Sequence, residues 1–162
     1  MAVVDATTMP IPHDLLATGT ADAPFVAVTT LDELPAGTMR RVTRGDLDLL
    51  VVNTEQGICV VDDRCPHMSA PLSLGALDGC VVACPLHRGR FDLRTAEVVQ
   101  FPTTGGLDAD GGYHPPRTPD DAATRPEPTD LKARARAATR VRRLRYYPVR
   151  INGSAIEVRL PR

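Results

Sequence analysis

A chain of 162 residues with a formal net charge of −1 is sized for one domain, with an appendage at most, and generates no global field that would hold nucleic acid or an anionic membrane. Tryptophan is absent and aromatic residues make up only 4%, so the core has to be assembled from Val, Leu, Ile and Ala. No stretch reaches the roughly 18 apolar residues of a membrane-spanning helix, and Met1–Thr8 has neither the basic residues nor the apolar block of a secretory leader.

Residues 1–22 read as a loose N-terminal arm, interrupted by Pro10, Pro12 and Gly19. The remainder, 23–162, reads as one all-β domain, a small antiparallel sandwich or barrel of many short strands. Phe25–Val28 is the first strand, followed by Val42–Thr43, Leu47–Asn53 and Ile58–Val61, with turns at Gly45-Asp46 and Glu55-Gln56-Gly57. Val81–Ala83 and Glu97–Phe101 are further strands. Cys59 and Cys80 fall in apolar runs, where a free cysteine acts as a small buried hydrophobe. At the end, Tyr147–Ile151 and Ala155–Leu160 form a hairpin around Asn152-Gly153, a strong turn signal.

Two short strings stand apart. Cys65-Pro66-His67 and Cys84-Pro85-Leu86-His87 are separated by sixteen residues, and each supplies one thiolate and one imidazole. Thiolates suit iron–sulfur clusters, zinc and copper(I), while imidazole suits several transition metals. In a Rieske [2Fe–2S] centre two Cys hold one iron and two His the other. Two loops that each give one ligand to each iron meet that need. Zinc at the same four residues is the alternative, although a zinc finger places its two Cys together and its two His together. His13 and His114 lie in Pro-rich stretches and read as plain solvent residues.

The chain resembles the Rieske ferredoxin family in Asp62-Asp63-Arg64-Cys65-Pro66-His67, in Ala70-Pro71-Leu72-Ser73, and in Cys84-Pro85-Leu86-His87-Arg88-Gly89-Arg90-Phe91-Asp92. Leu93–Val98 continues the likeness, with Ala96 where the family usually has Gly, and Phe101-Pro102 looks like its third, proline-bearing loop. The resemblance implies a Rieske fold, an antiparallel β-sandwich with a cluster-binding subdomain at the tip of two β-hairpin loops. It implies a Rieske-type [2Fe–2S] cluster on Cys65, His67, Cys84 and His87. It also implies a one-electron carrier that passes electrons from an NAD(P)H-dependent reductase to a terminal oxygenase and is not catalytic alone. Respiratory relatives are membrane-anchored and carry an extra disulfide beside the ligands. Here Leu86 and Met68–Ala70 occupy those places, so a reducing cytoplasm is expected. High-potential members place Ser and Tyr hydroxyls where this chain has Gly89 and Phe91, which implies a potential low in the family range.

Between Pro102 and Tyr147 lies an insert of about 44 residues, 103–146, long for a loop in a compact domain. Its first part, 103–130, contains four Gly, five Pro and six acids (Asp108, Asp110, Asp120, Asp121, Glu127 and Asp130) against Arg117 and Arg125. That composition cannot bury a core and predicts irregular chain. The second part, 131–145, has seven basic residues and no acid. Its alanines favour a helix that Thr129 or Asp130 caps, becoming extended from Arg140 onward. Lys132, Arg134, Arg136, Arg140, Arg142, Arg143 and Arg145 read either as a solvated face paired with the acidic half of the insert or as a docking surface for an acidic partner. The position directly after the third loop places the insert near the cluster. A redox-sensing or assembly subunit that docks through this insert is the alternative function.

Overall fold

The computed structural model describes residues 6–12, 14–118, 126 and 129–162. His13, Asp120, Asp121, Arg125 and Glu127 lie outside the described residues, as do the first five residues of the expected arm. Among those described, no helix is long and apolar enough to cross a membrane.

The centre is a three-stranded antiparallel sheet of β2 (Thr38–Arg44), β3 (Leu47–Thr54) and β4 (Gly57–Asp62), in the order β2-β3-β4. Side chains alternate across a strand, and here both faces are covered. Leu49, Val51, Ile58 and Val60 point into one core, with Val28, Leu34, Tyr147, Ile156 and Val158. Leu50, Val52, Cys59 and Val61 point into a second core, with Cys65, Leu72, Val82, Cys84, Phe91 and Tyr146. Burial on both faces accounts for the near-continuous apolar runs of β3 and β4. The first core is closed by β1 (Phe25–Thr30), β11 (Val149–Asn152) and β12 (Ala155–Arg159), in the order β1-β12-β11. The second is closed by β5 (Ala76–Asp78), β6 (Val81–Ala83), β7 (Arg90–Asp92) and β8 (Val98–Gln100), paired in sequence order. This is the antiparallel β architecture expected, with one short helix among the described residues.

Hairpin turns follow the chemistry of their first residue. Arg44 pairs with Leu47 and Asn152 with Ala155, leaving Gly45-Asp46 and Gly153-Ser154 as two-residue loops. Gly45 and Gly153 have φ of +58° and +62°, the left-handed first position of a type II′ turn. The final hairpin is therefore centred one residue beyond the Asn152-Gly153 expected.

Two segments depart from the sequence reading. The supposedly loose arm is laid along the outer edge of β4: Thr8 bridges Ile58, with the Met9 amide donating to the Ile58 carbonyl at 2.8 Å. Leu16 bridges Tyr146, and Met9, Ala17 and Thr20 are buried. The residues on either side of the prolines cover an otherwise open strand edge. The first half of the insert is likewise not wholly irregular. It forms a small hairpin of β9 (Gly106–Leu107) and β10 (Tyr113–His114), and Leu107 bridges Arg140 while donating to the Thr139 carbonyl at 3.0 Å. His114, expected in solvent, stacks on Phe101 with ring centroids 3.9 Å apart, and its Nε2 lies 3.0 Å from the Asp108 carboxylate, which accepts the hydrogen bond. Helix α1 (Leu131–Ala137) is capped by the Asp130 carboxylate, which accepts from the Ala133 amide at 2.9 Å. The chain beyond Arg140 is extended, and Val141 and Leu144 enter the second core.

Candidate metal centre

The two ligand strings sit on loops of the same construction. Loop 1 leaves β4 and runs through Cys65 into a 3-10 turn at Leu72–Leu74; loop 2 joins β6 to β7 through Cys84. Loop 2 is a true β-hairpin loop. Loop 1 is not, because β4 pairs with β3 and β5 with β6. Each loop nonetheless closes on itself in the same way. The Cys65 amide donates to the Ala70 carbonyl and the Cys84 amide to the Gly89 carbonyl, both at 2.8 Å. Each contains a left-handed non-glycine residue four places after its cysteine, Ser69 (φ 62°) and Arg88 (φ 58°).

This winding aims backbone amides at sulfur. The Cys65 thiol receives the amides of His67 and Met68, and the Cys84 thiol those of Leu86 and His87. Both cysteines are buried and unbridged, and their thiols lie in hydrogen-bonding reach of each other. That mutual bond holds the Cys84 thiol below the ordinary range for a thiol and pushes Cys65 above it. The imidazoles of His67 and His87 also pair, edge to face, with centroids 5.0 Å apart and an interplanar angle of 80°. Burial, then the neighbouring His87, lowers His67 to about 4. Burial, then the Arg136 charge, lowers His87. Both rings are therefore neutral at pH 7, the form in which imidazole binds a metal.

Residues 24–110, more than half of the 162, match the Rieske [2Fe-2S] domain. This chain belongs to the Rieske [2Fe–2S] domain family. Its relatives include the ferredoxin component of the naphthalene 1,2-dioxygenase system of Pseudomonas aeruginosa, 35% identical over 51% of this chain and 80% of that one. The ferredoxin subunit of 3-phenylpropionate/cinnamic acid dioxygenase from Photorhabdus laumondii is 40% identical over 49% and 76%. Among solved structures, the ferredoxin of carbazole 1,9a-dioxygenase from Nocardioides aromaticivorans matches with a TM-score of 0.54 at 22% identity, covering 86% of this chain and all of that one. A complex of reduced oxygenase and oxidised ferredoxin in carbazole 1,9a-dioxygenase matches with a TM-score of 0.55 at 22% identity, over 85% and 94%. At that identity these two structures establish the Rieske fold. The protein is an electron-carrying ferredoxin component, and its cofactor is a Rieske-type [2Fe–2S] cluster.

The residues present fit that group. Among the described residues no three His, Cys, Asp or Glu side chains converge on a single point suited to one ion. The donors instead fall into a sulfur pair and an imidazole pair, as a two-iron centre requires. Four backbone amides stand ready to stabilise negative charge on the sulfurs, the outer-shell arrangement that tunes a cluster.

Several supporting residues were not singled out from sequence. Asp63, 1% exposed, accepts from the Ser73 amide at 2.7 Å and its hydroxyl at 2.6 Å, pinning the 3-10 turn that follows loop 1. Thr104 brings Oγ1 to 3.4 Å from His67 Nε2. The Thr103 amide donates to the His87 carbonyl at 2.8 Å, and the Arg142 amide to the Pro66 carbonyl at 3.1 Å. The insert is thus tied to both ligand loops. Asp63 and Ser73 lie in the stretches that carry the family resemblance; Thr104, in a stretch of weak signal, had none. Cys59 and Cys80 are buried and unbridged, and burial pushes the Cys59 thiol up to about 12.

Proposed function

We propose that Cys65 and Cys84 hold one iron of the cluster and His67 and His87 the other. The chain then passes single electrons from an NAD(P)H-dependent reductase to a terminal oxygenase in the cytoplasm. The observation that carries this reading is the sorting of four ligand residues into a buried thiol pair and a neutral imidazole pair by two loops of matched winding. When bound, the cluster supplies one-electron chemistry in a range of about −150 to +300 mV. The chain holds the thiolates against four amides, keeps the imidazoles neutral and excludes water from the sulfurs. Residues 23–162 act as one domain in this reading, with 103–146 as its insert.

Docking is assigned to the basic face of the insert. Lys132, Arg134, Arg136, Arg140, Arg142 and Arg143 are exposed. Among the described residues, Lys132, Arg134, Arg136, Arg142 and Arg143 make no ion pair, whereas Arg145 is spent on Asp62 at 2.7 Å. Unpaired positive charge near His87 favours an acidic partner, because such patches act mainly on encounter rate.

Two measurements test the reading. Protein isolated without air should be coloured and, after dithionite, give the low-temperature paramagnetic signal of a reduced two-iron cluster; a colourless, silent protein removes the assignment. With a cognate reductase and oxygenase, Arg134→Glu/Arg136→Glu should slow association by about tenfold at low salt and flatten its salt dependence. An unchanged rate and salt slope, in this variant and after deletion of 104–140, would remove the docking role.

A further inference from the structure

The two histidines of the centre are not equivalent. His67 is 7% exposed, whereas His87 is only half-buried. The insert makes the difference. Its second residue, Thr104, stands 3.4 Å from His67 Nε2, and the amide of Arg142 grips the carbonyl of Pro66, immediately before that ring. On the other side the same segment holds His87 by its backbone, through the Thr103 amide. The ring is left beside Leu86, which is 57% exposed, and within the field of Arg136.

We infer that the insert makes the centre one-sided. Thr104 is a positioning residue that caps His67, and electrons enter and leave along the His87 edge, between Leu86 and Arg136. The inference rests on His67 and His87 being the ligands of one iron. With Nε2 of His67 facing the Thr104 hydroxyl, Nδ1 is the nitrogen left for the metal, and the outward nitrogen is removed from any partner's surface. Electron-transfer rates fall steeply with distance, so a ring that a partner can touch outcompetes one screened by the Thr104 side chain. The partner chemistry follows: an apolar centre to cover Leu86 and a carboxylate rim to meet Arg136, the usual division between interface core and rim.

Three readouts on the full-length, cluster-loaded protein test it. Diethyl pyrocarbonate treatment of the oxidised protein, with peptide mass mapping, should modify His87 several-fold faster than His67. Thr104→Gly should remove most of that protection. Second, Thr104→Val should alter the histidine nitrogen couplings of the reduced paramagnetic signal, and Thr104→Ser should restore them. Third, oxidation of the reduced protein by hexacyanoferrate(III), which takes up one electron and is anionic, compares charges placed on the two sides. Leu86→Asp should slow it several-fold and Ser69→Asp should leave it near the parent rate; both side chains are exposed. Equal labelling of the two histidines, or equal slowing by the two aspartates, in protein that retains its cluster signal overturns the one-sided centre alone. Absence of any cluster signal overturns the ligand assignment, and this inference with it.

Discussion

A Cβ added at Gly89 would lie 3.0 Å from Phe91 Cζ and 3.3 Å from Pro102 Cγ. Gly89 and Phe91 thus fill one another's space next to the Cys84 loop, and neither side chain offers sulfur a hydrogen bond. Substituting Gly89→Ser introduces a donor but also requires the Phe91 ring to give way by a few tenths of an ångström. Gly89→Ala imposes the same steric demand without the hydroxyl, so the pair separates the two effects. Both variants should lose similar stability, and only the serine should raise the midpoint potential measured by a dye-coupled redox titration, because a donor to sulfur favours the more negative, reduced centre. Ala96 poses a different balance. Its φ is +63°, a conformation that costs an L-residue about 1–2 kcal/mol, but its methyl is buried, at 2% exposure, worth about 0.8 kcal/mol. Ala96→Gly relieves the first and forfeits the second, and glycine also gives the unfolded chain more freedom. The net change in denaturant-measured stability should stay within about 1 kcal/mol.

At the scale of elements, what the sequence made legible was what repeats or is chemically rare. The apolar runs of β3 and β4, the Gly-led turns and the two Cys-Pro strings each announce themselves within a few residues. β5 and β7 did not, because three-residue strands carry too little alternation and owe their conformation to pairing with β6. The 3-10 turn held by Asp63 depends on a partner ten residues away, and the capping of His67 depends on one thirty-seven residues away. Such contacts have no local signature. The N-terminal segment misled for a related reason: prolines and a glycine mark the absence of helix, but say nothing of whether the residues around them find an open sheet edge. Met9 tests that point. It is 4% exposed within the second core, so Met9→Ala should cost about 2–4 kcal/mol by chemical denaturation. A loose arm would show no loss at all.

Across the whole molecule, charge acts through local pairs, since the net value is only −1. Asp92 is held below the usual carboxylate range chiefly by the hydrogen bond from Arg94, and Glu157 chiefly by that from Arg150. Asp48 is lowered first by the Thr43 hydroxyl and then by Arg41, and Glu33 first by Thr29 and then by Arg40. All four have folded-state values below their unfolded ones. The unfolded chain therefore binds more protons as pH drops, and stability falls with it. The contribution is fully present above the unfolded carboxylate values of about 4 and is lost as pH passes down through the folded ones. These pairs tie β7 to its turn, β11 to β12, and β2 to β3 and the β1 turn, so their loss loosens every sheet that frames the ligand loops. Thermal melts followed by circular dichroism should accordingly show a plateau from about pH 8 to 6.5, a shallow decline below it as the buried, neutral His67 and His87 become protonatable in the unfolded chain, and a steep step below about 4. Because most of these groups are exposed, added salt should reduce the height of that step without moving the plateau's edge. A melting temperature that holds or rises on acidification to pH 3 would mean that the carboxylate pairs add nothing to the fold, and that the two cores alone hold the ligand loops together.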